Sequence, residues 1–203
     1  MYRYFFKRII DIFISLIALL VLWPLFIIIA ILIKIDDNGP VFYRQVRTGK
    51  NGKNFLMFKF RTMKACKRGD EMKLSHDERV TKLGKVLRKT SLDELPQFFN
   101  VIKGDMSFIG PRPWIVDYYE RFNEEQKRRV EVRPGIIGLA QARGRNSLSI
   151  FDKINYDLEY VDNLSFLMDF RVLFESIRMV LKREHAEIIQ EDIKLELEQL
   201  ESQ

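Results

Sequence analysis

The chain has 203 residues, of which 47% are hydrophobic, and a formal net charge of +6. This length allows one buried core with a membrane element but leaves little room for two independent catalytic domains. The single cysteine, Cys66, excludes an intrachain disulfide, and no cluster of cysteine and histidine indicates a zinc site. The excess of cations predicts a surface that attracts nucleic acid, anionic lipid or phosphorylated small molecules.

An uncharged apolar segment runs from Ile12 to Ile33 and would extend about 33 Å as a straight helix. Pro24 removes a backbone donor near its middle, so the helix should kink there. Basic residues before and after the segment assign both of its ends to the cytoplasm: Arg3, Lys7, Arg8, Lys34, Arg44 and Arg47. These facts favour a re-entrant membrane helix over residues 1–36, with a kinked single span as the alternative.

Charged residues at the start of this segment form a candidate anchor. Asp11 follows Arg8 and Lys7 by three and four residues, so the three side chains can pair along one helix face. Such a pairing would hold the chain where it enters the membrane. A cleaved signal peptide is not expected, because charged residues rather than a small-residue cleavage site follow the apolar run.

The first part of the body predicts a hairpin followed by helices. Val41–Met63 alternates apolar and basic residues around a glycine-containing turn, which is typical of two short strands or a hairpin. Apolar residues recur at helical spacing over Leu83–Val101. Within that range, Ser91 precedes Glu94 by three residues, as in a capping box at the start of a new helix.

Beyond residue 103, glycines and prolines divide the chain into short pieces around one helix expected over Ile115–Val132. The range Leu164–Leu181 predicts a long amphipathic helix that lies in the membrane interface or packs in the core. The expected fold is therefore mostly helical α+β, with a small hairpin, interfacial helices and a compact cytoplasmic catalytic domain over residues 37–183.

Residues 184–203 differ in charge from the rest of the chain. They carry seven acidic residues and one lysine, which leaves about +12 on residues 1–183. Ile189, Ile193, Leu197 and Leu200 recur within them at helical spacing. We expect an acidic C-terminal helix that docks on the body or self-associates in a homodimer.

Asp93 and Glu94 are adjacent carboxylates in one predicted turn. Such a pair can supply a metal ligand, a nucleophile and a proton acceptor, although an acidic pair that complements a helix dipole is the simpler explanation. The density of surrounding cations favours a site that handles phosphate, because guanidinium groups suit phosphate recognition. These cations are Lys59, Arg61, Arg88, Arg112, Arg143 and Arg145.

Arg112 lies between Pro111 and Pro113, which limits the entropy lost when its side chain grips an anion. A plain rigid turn explains the same residues. Neither a Walker A motif nor the dinucleotide-binding glycine pattern occurs, so both classes of nucleotide site lose their usual support. His76 and His185 lie in polar segments and are expected at the surface.

Taken together, several motifs resemble those of the bacterial sugar transferases, the monotopic polyprenyl-phosphate phosphoglycosyl transferases. They are Lys7-Arg8 with Asp11, Lys59 to Met63, Leu92 to Gln97, Gly104 to Pro113, and Arg133-Pro134-Gly135. The resemblance extends from about Lys7 to Arg183. The length is similar to the minimal catalytic form that initiates bacterial N-glycosylation.

The resemblance implies transfer of a sugar 1-phosphate from a UDP-sugar to polyprenyl (undecaprenyl) phosphate, with Mg²⁺, at the cytoplasmic face of the bacterial inner membrane. It implies that Asp93 attacks the donor's β-phosphate, releases UMP and lies near the metal, while Glu94 assists proton transfer or positioning. It places Lys59, Arg88, Arg112 and Arg145 on the phosphates. The expected partners are these substrates and membrane lipids, not nucleic acid, and the reaction would initiate glycoconjugate or polysaccharide assembly.

One departure from the family pattern is Trp23, which stands before Pro24 where members place a small polar residue. Two rival functions also remain open. A membrane-tethered basic adaptor for nucleic acid or acidic lipid would use Asp93 and Glu94 only as helix caps. A metal-dependent phosphodiester hydrolase would use the same residues but hand the phosphosugar to water instead of a polyprenyl acceptor.

Overall fold

The computed structural model describes residues 1–64, 79–144, 148–182 and 193–201. A π-helical turn, Tyr2–Phe6, leads into helix α1, Lys7–Asp36, which continues through Pro24. Together they form one helical segment that is long and apolar enough to cross a membrane. Its middle exposes large apolar side chains, including Phe13 and Leu20. Such a surface is stable in lipid rather than in water.

The predicted hairpin is confirmed. Strand β1, Phe42–Thr48, pairs antiparallel with β2, Asn54–Phe60, through a short 3₁₀ turn at Lys50–Gly52. Phe42 lies opposite Phe60 and Tyr43 opposite Lys59, and the two residues of each opposed pair lie on the same face of the hairpin. A second, parallel pair joins β3, Ser107–Ile109, to β4, Gly135–Ile137.

Helices make up most of the remaining described residues. After the hairpin come α2 (Lys82–Thr90), a 3₁₀ turn (Leu92–Glu94), α3 (Gln97–Lys103), α4 (Val116–Arg121), α5 (Glu124–Lys127) and a 3₁₀ turn (Arg128–Glu131). The chain then forms α6 (Leu139–Arg143), α7 (Ile150–Asp162), α8 (Phe166–Lys182) and α9 (Ile193–Glu201). The expected mostly helical α+β class is therefore confirmed.

Two local predictions were wrong. Ser91 does not cap a new helix, because its backbone is left-handed (φ 58°), its side chain makes no capping hydrogen bond, and it ends α2. The single helix expected over Ile115–Val132 is interrupted, since Phe122 is extended and Asn123 begins α5 with a capping box. Side-chain caps thus decide the break where apolar spacing alone predicted continuity.

Helix α8 packs in the core along one face and exposes apolar side chains along the other. Met168 and Val172 pack in a core cluster with Ile109 of β3 and Tyr160 of α7. Seven further apolar side chains of the helix are exposed: Phe166, Leu167, Phe170, Phe174, Ile177, Val180 and Leu181. A contiguous exposed apolar face of this kind marks a membrane or protein contact.

The C-terminal helix α9 docks on the body, which is one of the two alternatives that we predicted for the tail. Leu197 and Leu200 pack against the aromatic cluster around Trp114 and Tyr118. Glu196 accepts hydrogen bonds from the Tyr118 hydroxyl (2.6 Å) and the Lys153 ammonium (3.2 Å). The homodimer stays a prediction, and Cys66, His76 and His185 lie outside the described residues.

Candidate active site

Asp93 and Glu94 lie side by side in the 3₁₀ turn between α2 and α3. Asp93 is 8% exposed. Glu94 accepts two charged hydrogen bonds at Oε1, from the Lys59 ammonium at 2.7 Å and the Arg112 guanidinium at 3.0 Å. Lys59 belongs to β2 and Arg112 to the loop after β3, so three distant parts of the chain meet at the two carboxylates.

Apolar residues on either side of the dyad set its position. Leu92 and Leu95 pack against a cluster that contains Ile29 and Ile33 of α1 and Phe60 of β2. The left-handed Ser91 turns the chain sharply between α2 and the dyad. The two carboxylates are consequently held next to the C-terminal half of the membrane helix.

The two carboxylates have opposite pKa shifts. Burial raises the pKa of Asp93 above its ordinary value, and the positive charges of Lys59, Arg112 and Arg88 offset only part of this effect. Burial also acts to raise the pKa of Glu94, but Arg112 and Lys59 outweigh it and hold that pKa well below its usual range. Neighbouring carboxylates with pKa values driven apart are typical of sites in which each has its own chemical role.

Arg88 interacts electrostatically with Asp93, and Thr62, two residues after the end of the hairpin, orients its side chain. Its Nε donates to the Thr62 hydroxyl at 2.9 Å. Helix α2 can approach this segment because residue 84 is glycine, where a Cβ would lie 2.1 Å from the Thr62 carbonyl oxygen. Arg61, by contrast, pairs with Asp37 at 3.1 Å and ties the hairpin to the end of α1.

The predicted phosphate-binding residues therefore divide into two groups. Lys59, Arg88 and Arg112 converge on the dyad. Arg145 lies outside the described residues, and its role stays a prediction. Arg143, which the sequence grouped with these cations, binds Glu159 at 2.6 Å and 3.0 Å instead and belongs to the packing of α6 on α7.

Arg129 positions the Arg112 loop, and sequence reasoning missed it. Its buried guanidinium pairs with Asp157, lies 4.9 Å from the Trp114 ring centre, and donates to the Arg112 carbonyl at 2.7 Å. One arginine among several charged residues gives no local signal that its side chain is buried. Its partner Asp157 lies on the buried face of α7, and the pairing can be recognised only when the packing of that helix is known.

We expect Arg129→Met to lower stability by about 3–5 kcal/mol, because it leaves the Asp157 carboxylate buried without a counter-charge. The double variant Arg129→Met/Asp157→Leu should recover much of that loss in a denaturant titration. It should not recover activity, since the Arg112 carbonyl still lacks its donor. Equal recovery of both properties would argue against a positioning role.

The loop that carries Arg112 also depends on a close backbone contact with β4. The Gly135 amide donates to the Pro111 carbonyl at 2.8 Å, and a Cβ at Gly135 would lie 2.1 Å from the Gly110 amide nitrogen. No side-chain rotation can relieve that overlap. We expect Gly135→Ala to cost more than about 2 kcal/mol in a thermal or chemical denaturation experiment and to reduce activity with it. An unchanged melting temperature would contradict this account.

The three charged anchor residues all contact the body, and the expected ion pair between Lys7 and Asp11 is present, whereas Arg8 binds backbone carbonyls instead of Asp11. Asp11 accepts from the Ser107 hydroxyl (2.7 Å) and the Phe108 amide (3.1 Å) and lies 3.9 Å from Lys7. Arg8 donates to the carbonyls of Val101 (2.6 Å) and Ile102 (2.9 Å) at the end of α3. The start of α1 is therefore fastened directly to the core.

Asp169 is a further anchor residue that sequence reasoning missed. It binds the Lys7 ammonium at 2.6 Å, and it accepts from the hydroxyls of Tyr2 (2.5 Å) and Tyr160 (2.6 Å). An acid next to Met168, on the face of an amphipathic helix that packs in the core, was the available signal. Helix α8 and the start of α1 are consequently joined through one buried carboxylate.

The site fits a magnesium ion that is shared with a substrate. Among the described residues, no group of three acids, histidines or cysteines forms a cage for a metal. Mg²⁺ is usually bound through one or two carboxylates together with substrate phosphates. Asp93 offers a carboxylate free of close ion pairs among the described residues, whereas one Glu94 oxygen is already occupied by two cations.

Several known proteins are similar in sequence to this chain. Residues 2–183 match the bacterial sugar transferase family. An uncharacterized sugar transferase of Bacillus subtilis, EpsL, is 43% identical over 179 residues, which is 88% of each chain. The UDP-glucose:undecaprenyl-phosphate glucose-1-phosphate transferase of Klebsiella pneumoniae is 42% identical over 182 residues, which is 85% of this chain and 39% of that protein.

A third relative is the UDP-N-acetylgalactosamine-undecaprenyl-phosphate N-acetylgalactosaminephosphotransferase of Aeromonas hydrophila, 42% identical over 185 residues. The match covers 87% of this chain and 44% of that protein, so the chain spans less than half the length of these last two relatives. The family match takes in every described site residue and the membrane helix but stops before α9. This chain therefore belongs to the bacterial sugar transferase family.

Proposed function

We propose that this protein transfers a sugar 1-phosphate from a UDP-sugar to undecaprenyl phosphate, with release of UMP. The observation that carries the proposal is a buried carboxylate, Asp93, beside a Glu94 carboxylate that is clamped by Lys59 and Arg112. Relatives of this chain are named for the same type of reaction. The product would begin a glycoconjugate or polysaccharide.

In the first step, an Asp93 oxygen attacks the β-phosphorus of the donor. The bond from that phosphorus to the bridging oxygen breaks, UMP leaves with that oxygen, and Asp93 carries the phosphosugar. In the second step, a phosphate oxygen of undecaprenyl phosphate attacks the same phosphorus and the Asp93 carboxylate leaves. The product is an undecaprenyl diphosphate sugar.

The pKa shifts support different roles for the two acids. A raised pKa makes the Asp93 carboxylate more basic and hence a better nucleophile. The lowered pKa of Glu94 makes it a poor proton acceptor at neutral pH. We therefore assign Glu94 to positioning, in which it holds the Lys59 and Arg112 charges beside Asp93 for the donor's phosphates.

Three cations near the dyad, Lys59, Arg88 and Arg112, would stabilise the charge that develops on the transferred phosphoryl group. Arg88 is oriented by Thr62, and Arg112 by the backbone contact with Arg129. Preorganised donors of this kind supply most of the catalysis in phosphoryl transfer. Mg²⁺ bound with Asp93 would add charge neutralisation on the donor's phosphates.

We also propose that α1 is re-entrant and that the catalytic domain lies on the cytoplasmic face of the bacterial inner membrane. Both ends of α1 contact the same body: Arg8 binds the carbonyls of Val101 and Ile102, and Asp37, directly after the helix, pairs with Arg61 at 3.1 Å. A helix that crossed the bilayer would leave one end out of reach. The lipid-exposed face of α8 and the basic flanks of α1 fit the same arrangement.

The test is a reaction of purified protein with Mg²⁺ and a panel of UDP-sugars, with and without undecaprenyl phosphate. We expect sustained UMP release only when the acceptor is present, for the sugar that the protein uses. Sustained release without acceptor would indicate a hydrolase. No release with any donor would overturn the proposal and favour a membrane-tethered adaptor.

A further inference from the structure

An open apolar groove of about 390 Å³ lies between the C-terminal half of α1 and the start of the hairpin. Its lining residues are Ile27, Ala30, Ile31, Lys34, Ile35 and Val41. Ile27, Ala30, Ile31 and Lys34 recur at the spacing of one helix face, so they form a continuous stripe. The stripe is apolar along its length and ends at a single cation.

The groove runs beside the candidate active site. The neighbouring stripe of α1, Ile29 and Ile33, packs against Leu92 and Leu95, the residues that flank the dyad. Val41 also lines the groove, and its carbonyl accepts from the amide of Arg61, two residues after Lys59, at 2.9 Å. The groove and the two carboxylates are thus built from adjacent faces of the same elements.

Lys34 is placed to receive an anion at the end of this groove. It is exposed and has no ion-pair partner in the part of the chain that the structure describes. Asp36 follows it by two residues and therefore lies about 160° away around the helix. Asp37 is engaged with Arg61 at 3.1 Å.

We propose that this groove binds the first isoprene units of the polyprenyl phosphate acceptor, with the phosphate at Lys34. The occupant is assigned from charge and shape, because an apolar chain that ends in a phosphate matches an apolar stripe that ends in a lysine. The stripe from Ile27 to Lys34 is about 10 Å long, so it contacts only the part of the chain nearest the phosphate. The inference rests on the proposed transferase function and names the acceptor subsite.

The test fills the groove with Ala30→Trp and compares it with Leu32→Trp, which adds the same side chain on an exposed face away from the groove. We expect Ala30→Trp to raise the KM for undecaprenyl phosphate about tenfold, with the KM for the UDP-sugar unchanged. Leu32→Trp should match the wild type. Lys34→Gln should raise the acceptor KM, and Lys34→Arg, which keeps the charge, should restore it.

Acceptors of different length distinguish binding in the groove from a general effect of the substitution on contact with lipid. For each acceptor, we compare the KM of the variant with that of the wild type, because partition of the acceptor into the detergent micelle affects both KM values equally and drops out of their ratio. With a single-isoprene phosphate, which cannot fill the stripe, the ratio for Ala30→Trp should fall towards one, while the ratio for Lys34→Gln should persist. Equal ratios for long and short acceptors, or an equal effect of Leu32→Trp, would indicate ordinary lipid contact and overturn the proposal.

Failure of the acceptor subsite can be distinguished from failure of the proposed function. A wild-type protein that transfers normally, with an Ala30→Trp variant of unchanged acceptor KM, overturns the subsite alone. Absence of transfer by the wild type overturns the proposed function and the subsite together.

Discussion

The isosteric substitution Asp93→Asn is expected to abolish sugar-phosphate transfer while the protein stays at least as stable as the wild type. Activity should fall by roughly a thousandfold or more, because the variant lacks the nucleophile. Stability should not fall, because burial raises the pKa of Asp93 in the folded state. The unfolded chain then ionises this group at lower pH than the folded protein does, so at neutral pH its charge favours unfolding.

Glu94→Gln is the matched control and should behave in the opposite way. The folded-state pKa of Glu94 is depressed, so its charge stabilises the fold at neutral pH, and that contribution disappears as pH falls. We expect a loss of about 1–2 kcal/mol, moderated by the partial exposure of Arg112. Thermal denaturation in the presence of a metal chelator measures the change in stability of both variants. A strongly destabilised Asp93→Asn variant that still transferred sugar phosphate would instead support a capping role for Asp93.

Cysteine labelling should place both ends of α1 on the cytoplasmic side. In a Cys66→Ser background, Tyr4→Cys and Asn38→Cys each introduce one exposed thiol, one before and one after the helix. A membrane-impermeant maleimide should label both in inverted vesicles and neither in intact cells, because a re-entrant segment returns to the face from which it enters. Leu20→Cys, in the exposed middle of α1, should resist labelling in both preparations.

Labelling of only one of the two terminal positions in intact cells would indicate a single membrane span. That result would remove the re-entrant topology without affecting the chemistry of the dyad. The control for folding is transfer activity in each cysteine variant, which should be retained because the side chains of Tyr4 and Asn38 are both exposed.

Local patterns in the sequence were sufficient for the hairpin, the membrane helix and α8. Alternation with a turn of glycine predicted β1 and β2, and helical spacing predicted α8, because these signals are repeated over many residues. Helix boundaries were less predictable. The left-handed backbone at Ser91 and the cap at Asn123 each depend on the conformation of one residue.

The dyad could be proposed from the sequence, but its geometry could not. Lys59, Arg88 and Arg112 come from separate elements, and only packing brings their charges to Asp93 and Glu94. Arg129 and Asp169 were missed for the same reason. Each is a buried charge whose partner is distant along the chain, at Asp157 and Lys7 respectively, so no local pattern identifies the partner of either residue.

The most direct test of the central claim is the intact mass of the protein after incubation with Mg²⁺ and a UDP-sugar in the absence of acceptor. We expect a mass increase equal to one attached phosphosugar group, located on Asp93 by peptide mapping, absent from Asp93→Asn, and lost when undecaprenyl phosphate is added. Transfer that proceeds without this adduct, or an adduct that persists in Asp93→Asn, would contradict the covalent mechanism.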